Sequence, residues 1–189
     1  NEYWRTQEVW IFKNKAIGDV YEPGSVFKPI TVSIGIETGA ITPESTCNDS
    51  TGFVKIYEGT PDEHIIYTWD KRPDGLLTPE GFLQYSNNPC IVDTAKKIGF
   101  EKYYPLMKEF GIGDFIGIGL QDESNSYLKP YEEWIKLDFY TASFGQSISV
   151  TPLQMLSAIS TIANDGERMK PYIVSEVSDD EETITYEPR

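Results

Sequence analysis

The stretch "YEPGSVFKP" (21–29) places Ser25 and Lys28 three residues apart, directly after a Pro-Gly pair. A serine hydroxyl is a weak nucleophile that needs a base, and a lysine amine serves as that base only when it is neutral. On a helix, side chains at i and i+3 share a face, so the two groups are within reach of each other. Burial lowers a lysine pKa, by as much as about 3–5 units when it is complete. Val26, Phe27, Ile30 and Val32 supply an apolar setting of that kind around Lys28. A serine at a helix N-terminus also lies where free N–H groups and the positive end of the dipole stabilise a developing oxyanion.

The chain contains its own control. "SYLKP" (126–130) repeats the serine, the lysine and the following proline. Its surroundings, "DESNSYLKPYEEW", are polar and acidic, and no apolar helix follows Lys129. A solvated Lys129 stays protonated, so Ser25 and Lys28 are the preferred nucleophile and base. A second element is Ser86-Asn87-Asn88 in "YSNNP", the one S-x-N sequence of the chain. A hydroxyl there can relay a proton between the lysine and a leaving amine, and Asn88 can hold Lys28 or a substrate amide. Alone the motif is weak, because Ser and Asn before Pro is ordinary turn chemistry.

Other chemistries have less support. With one histidine, His64, a Ser-His-Asp triad would rest on that residue alone, and a surface or half-buried His64 is the default. One histidine and two cysteines argue against a structural zinc site, and no cofactor is implied. Cys47 and Cys90 can pair or stay free; the sequence leaves that open. The glycine-rich "FGIGDFIGIG" (110–119) does not match G-x-G-x-x-G and is not set in a strand-loop-helix unit, so it is not read as a phosphate site.

The elements that must position these groups are mostly helical. The apolar run from Ser25 to about Thr38 ends at Gly39, a natural helix C′ residue, with Pro29 loosening its first turn. Residues 40–77 hold short β-like pieces around "FVKIY" and "HIIYTW". Thr78, followed by Pro79 and Glu80, caps a short helix ending near Tyr85. Further helices are expected over about 89–98 and 101–110. Thr151 and Gln154 form a capping box before a helix running toward Gly166. The tail, "PYIVSEV" and "TITYEP", reads as strand on either side of an acidic turn.

A chain of 189 residues with 39% hydrophobic and 13% aromatic content can bury a core, which excludes wholesale disorder. A net charge of −14 and the lack of a basic cluster argue against nucleic acid as a partner. No apolar run approaches the roughly 20 residues that span a bilayer, and no signal peptide is visible.

Taken in order, "DVYEPGSVFKPIT", "LQYSNNP", "FGIG" with "GIGL", and "ASFGQSISVTPLQMLSAISTIANDG" resemble the transpeptidase domain of class B penicillin-binding proteins, over about residues 10–175. "CNDSTGF" and "SNNP" resemble the division and sporulation branch most. The resemblance implies an α+β transpeptidase fold shared with the serine β-lactamases. This chain (1–189) would be mainly its α-helical lobe, a partial domain with a few short strands and no second domain. It implies Ser25 as acylated nucleophile, Lys28 as general base, Ser86 as proton relay and Asn88 as a substrate and lysine contact. The implied partners are peptidoglycan stem peptides ending in D-Ala-D-Ala, β-lactam antibiotics, and envelope or divisome proteins. The implied location is extracytoplasmic, in a parent anchored to the cytoplasmic membrane.

The family's third motif, Lys-Thr-Gly, has no counterpart: no lysine here precedes Thr or Ser, and "ETG" (37–39) and "STG" (50–52) lie upstream of Ser86. The expectation is therefore a chain that alone does not turn over substrate, binds penicillin poorly at best and exposes apolar helix surface. Two alternatives stand beside the transpeptidase: a β-lactam sensor or serine β-lactamase, and a non-catalytic envelope interaction module.

Overall fold

The computed structural model describes residues 11, 13–178 and 183–185. Its architecture is built around one buried helix, α2 (Lys28–Glu37), which follows a 3₁₀ turn, Gly24–Phe27. Around α2 lie α4 (Asn88–Ile98), α5 (Phe100–Glu109) and α7 (Pro152–Ala163). The remaining helices among the described residues are α1 (Lys15–Gly18), α3 (Pro79–Gln84) and α6 (Lys136–Ala142). This is the helical lobe expected from the sequence, with short strands at its edge.

Apolar residues on nearly every side of α2 explain its central place: Ile30, Val32 and Ile34 are all buried. Full burial of such a side chain is worth about 1.5–3 kcal/mol. Gly35 lets α4 approach closely, since a Cβ there would stand 3.0 Å from Thr94 Cγ2 and 2.9 Å from Ile41 Cγ1. Thr31 locks the helix from the other side. Its Oγ1 donates to the Ser143 carbonyl at 2.6 Å and lies 2.7 Å from the Tyr103 hydroxyl.

The strands form three antiparallel pairs: β1 (Cys47–Asp49) with β4 (Gly75–Leu77), β2 (Phe53–Ile56) with β3 (His64–Tyr67), and β5 (Glu176–Ser178) with β6 (Thr183–Thr185). The expected pieces at "FVKIY" and "HIIYTW" are β2 and β3, while β1 and β4 lacked a pattern long enough to read. Among the described residues of the tail, 176–178 and 183–185 are strand; the acidic turn between them and the end of "TITYEP" lie largely outside the described residues. His64 is exposed, as its default reading had it. The two cysteines, left open by the sequence, are paired: Cys47 on β1 and Cys90 in the first turn of α4 are joined across 43 residues of chain. Among the described residues no helix is long and apolar enough to cross a membrane.

Candidate active site

Ser25 sits in the 3₁₀ turn and not in the α-helix proper, which begins three residues later at Lys28. Pro29 explains the change. It occupies the start of α2, where a missing N–H costs little, and the tighter turn before it closes with Lys28 N donating to the Ser25 carbonyl. The expected single helix from Ser25 to Thr38 is thus a 3₁₀ turn followed by an α-helix.

The turn is held from outside by the segment after α6. Gly24 N donates to the Gly145 carbonyl at 2.8 Å, Ser147 N donates to Glu22 Oε1 at 2.8 Å, and Tyr21 and Val150 form an antiparallel bridge. Gly145 has φ +80°, and a Cβ on it would lie 2.3 Å from the Gly24 oxygen. Only glycine fits there.

Ser25 is exposed, whereas Lys28 is 1% exposed. Burial pushes the Lys28 ammonium down to about 8. The lysine does not bond Ser25 directly. Its Nζ donates to the Ser86 carbonyl at 2.6 Å and to Ser86 Oγ at 2.9 Å, and Ser86 Oγ in turn donates to Ser25 Oγ at 2.9 Å. A continuous hydrogen-bonded chain, lysine to serine to serine, therefore runs from the buried amine to the exposed hydroxyl. It brings together residues 25 and 86, which are 61 positions apart.

Ser86 lies just beyond α3, whose N-cap Thr78 and following Pro79 set its start as the sequence indicated. Its backbone is left-handed, with φ +56°. Asn88, expected as a contact of the lysine or the substrate, does not meet Lys28. Its Nδ2 donates to the Tyr67 carbonyl at 2.8 Å and so ties the end of β3 to the first residue of α4. The lysine's acceptors come from Ser86 instead because the left-handed turn aims both oxygens of that residue at the ammonium.

The second serine-lysine pair has another fate. Ser126 is 4% exposed, where the sequence suggested solvent. Its Oγ accepts from Gly113 N and from Gln154 Nε2. Lys129 is paired with Asp138 at 2.6 Å, and that hydrogen bond holds its ammonium above the usual lysine range. It stays charged, though through an ion pair and not through solvation. The glycine-rich loop is also satisfied internally, since the Glu123 carboxylate accepts from Ile116 N and Gly117 N. A cleft of about 500 Å³ between α2, α5 and α7 holds Glu37, Glu109, Asp165 and Arg168 but none of the Ser25 group; it adds nothing to this chemistry.

The family profile described as penicillin-binding protein transpeptidase domain matches residues 2–189. The chain belongs to the penicillin-binding protein transpeptidase family. Stage V sporulation protein D of Bacillus subtilis is 33% identical over 164 residues, covering 87% of this chain and 25% of that protein. The penicillin-binding protein PbpB of Mycobacterium tuberculosis is 31% identical over 180 residues, covering 93% and 25%. Among solved structures, penicillin-binding protein 3 of Mycobacterium tuberculosis complexed with aztreonam is similar with a TM-score of 0.83 and 27% identity, over 96% of this chain and 41% of that one. The apo transpeptidase domain of Burkholderia pseudomallei penicillin-binding protein 3 gives 0.79 and 27%, over 93% and 50%. The chain spans about a quarter of the length of these curated relatives. The resemblance to the class B transpeptidase domain, and the helical lobe that it implied, both stand.

Proposed function

We propose that the protein is a serine-type peptidoglycan D,D-transpeptidase in which Ser25 is the acylated residue. The observation that carries this reading is the Lys28–Ser86–Ser25 hydrogen-bond chain. An amine titrating near 8 has a substantial neutral fraction at working pH, and it is connected to an exposed hydroxyl through one relay. In acylation, Ser25 Oγ attacks the carbonyl carbon of the D-Ala-D-Ala bond. Its proton passes to Ser86 Oγ while the Ser86 proton passes to neutral Lys28. Collapse of the tetrahedral intermediate breaks the C–N bond, and the proton returns through Ser86 to the departing D-alanine amine. The amine of a second stem peptide then attacks the acyl-serine and regenerates Ser25. A β-lactam opens on the same serine by the first half of this sequence.

Asn88 is the substrate contact on this reading, through its carbonyl oxygen, because its Nδ2 is engaged by Tyr67. One similar protein is described as a probable peptidoglycan D,D-transpeptidase, PbpC of Pseudomonas aeruginosa, at 30% identity over 82% of this chain. The aztreonam complex of another supports β-lactams as ligands. An enzyme acting on stem peptides would work outside the cytoplasmic membrane, with envelope or divisome proteins as partners on this reading, and the Cys47–Cys90 disulfide suits an oxidising compartment. The absent Lys-Thr-Gly strand would supply an oxyanion donor and a β-edge for the peptide. Losing one such donor costs about 100- to 1000-fold, so the chain alone acylates slowly.

The test is labelling with a fluorescent penicillin. Ser25→Ala abolishes labelling, and Ser86→Ala lowers its rate by about 100-fold or more, the usual weight of a proton-transfer group. Undiminished labelling in Ser25→Ala rules the proposal out.

A further inference from the structure

The left-handed backbone of Ser86 belongs to the turn that ends α3: Ser86 N donates to the Leu83 carbonyl at 3.2 Å and Asn87 N to the Phe82 carbonyl at 2.8 Å, the helix-ending arrangement that puts one residue at positive φ. A non-glycine residue in that region costs about 1–3 kcal/mol and persists only where its surroundings enforce it. Beyond the turn itself, part of the enforcement comes through the middle residue of the S-x-N sequence. Asn87 is fully buried, and its N–H and both polar side-chain atoms are used. Its N–H donates to the Phe82 carbonyl at 2.8 Å, and its Oδ1 accepts from Cys90 N at 2.8 Å. Its Nδ2 donates to Asp49 Oδ2 at 2.7 Å and to Asp74 Oδ2 at 2.9 Å. Asp49 is 3% exposed with both oxygens engaged, accepting also from Gly52 N at 2.7 Å and Asp74 N at 3.3 Å. Cys47 and Asp49 stand two apart on β1, hence on one side of the strand, and both grip the start of α4. One attaches by a disulfide and the other through Asn87.

We propose that Asp49 and Asn87 are positioning residues of the active site, which lock Ser86 in its left-handed turn so that its carbonyl and hydroxyl meet Lys28 together. Neither touches substrate; both act through Ser86. The inference rests on the relay reading of Ser86, and its test separates the two.

Backbone 13Cα and 13Cβ shifts of Ser86, with its HN–Hα coupling, report the sign of φ directly in labelled protein. Asp49→Asn is nearly isosteric but replaces one acceptor oxygen by a donor, so a role confined to packing predicts no change. The expected result is that Asp49→Asn and Asn87→Ala both move Ser86 to the shifts of negative φ, with helical circular dichroism and the disulfide retained. Penicillin acylation, compared in this chain and in the chain extended by the family's Lys-Thr-Gly strand, falls on the order of tenfold or more, as misplacement of a catalytic group does. If Asn87→Ala does not fold, Asp74→Ala removes one of the two hydrogen bonds of Asn87 Nδ2 at a half-exposed residue and gives a partial shift. A left-handed Ser86 that persists in Asp49→Asn and Asp74→Ala overturns the proposal, as does a shifted Ser86 with unchanged acylation. Absence of acylation in the unmodified protein counts instead against the transpeptidase function, and the backbone shifts then decide the positioning role alone.

Discussion

Lys28 and Lys129 show how residues of the same type, following serines at the same spacing, are given opposite electrostatics. Asp138 keeps Lys129 charged, whereas Lys28 is buried with only the neutral oxygens of Ser86 as hydrogen-bond acceptors. A buried cation without a counter-ion destabilises the fold, and that cost is what makes the amine available as a base. The sign of the linkage follows. Unfolded lysine titrates near 10.4, while folded Lys28 titrates near 8. Below pH 8 both states are protonated and the folded one carries the burdened cation. Between those values the unfolded chain binds more protons, so stability rises with pH. At about 1.4 kcal/mol per pH unit the full gain is about 3 kcal/mol. Thermal melts of wild type and Lys28→Met from pH 7 to 10 should show wild type gaining on the variant through that window. The comparison cancels tyrosines such as Tyr103, whose phenol burial pushes up. A pH-independent difference would mean that Lys28 is not shifted.

At the scale of elements, the nucleophile's turn depends on a glycine far away in sequence. Gly145→Ala must push the Gly24 backbone aside and adopt an unfavourable positive φ, at a cost of about 1–3 kcal/mol. We expect a lower melting temperature and slower acylation together; a stable variant with normal acylation would separate the turn from the site. The disulfide closes a loop whose entropy is worth about 4 kcal/mol in the chain-entropy account. Cys90→Ser should therefore lower the denaturant midpoint and steepen the slope, because the unfolded chain without the cross-link exposes more surface. At the capping box of α7, Thr151 Oγ1 accepts from Gln154 N, and Thr151→Ala is expected to cost about 1 kcal/mol in the same measurement. These features differ in legibility. The Thr78 and Thr151 helices could be read because a cap, a proline and an apolar period lie within one short window. The same holds for the serine and lysine of the 3₁₀ turn. The Cys47–Cys90 pairing, the burial of Ser126 by Gly113 and Gln154, and the Asp49–Asn87 contact could not be read. Their partners are brought together by the packing of α4 and α7, which no local pattern encodes. α6 was missed for a related reason: its N-cap, Ile135, has no polar side chain, the one cap bond being Asp138 reaching back to Ile135 N, and its identity as a helix comes from packing Phe139 and Tyr140 inward.

Over the whole molecule, a net charge of −14 coexists with apolar side chains left in solvent on the central helices, among them Ile36, Leu156 and Ile162. Exposed apolar side chains on these helices favour association, so sedimentation should show self-association at high protein concentration, strengthened by salt that screens the like charges. A clean monomer throughout would contradict this. The central claim is that Ser25 alone is acylated, with Lys28 as its base through Ser86. Its most direct test is site-resolved mass spectrometry after prolonged exposure to penicillin, on this chain and on the chain extended through a Lys-Thr-Gly strand. We predict a penicilloyl adduct confined to Ser25 and lost in Lys28→Ala. It should form faster as pH rises through about 8 and much faster in the extended protein. An adduct at Ser126 or any other serine, or one at Ser25 that forms equally well without Lys28, would contradict the account.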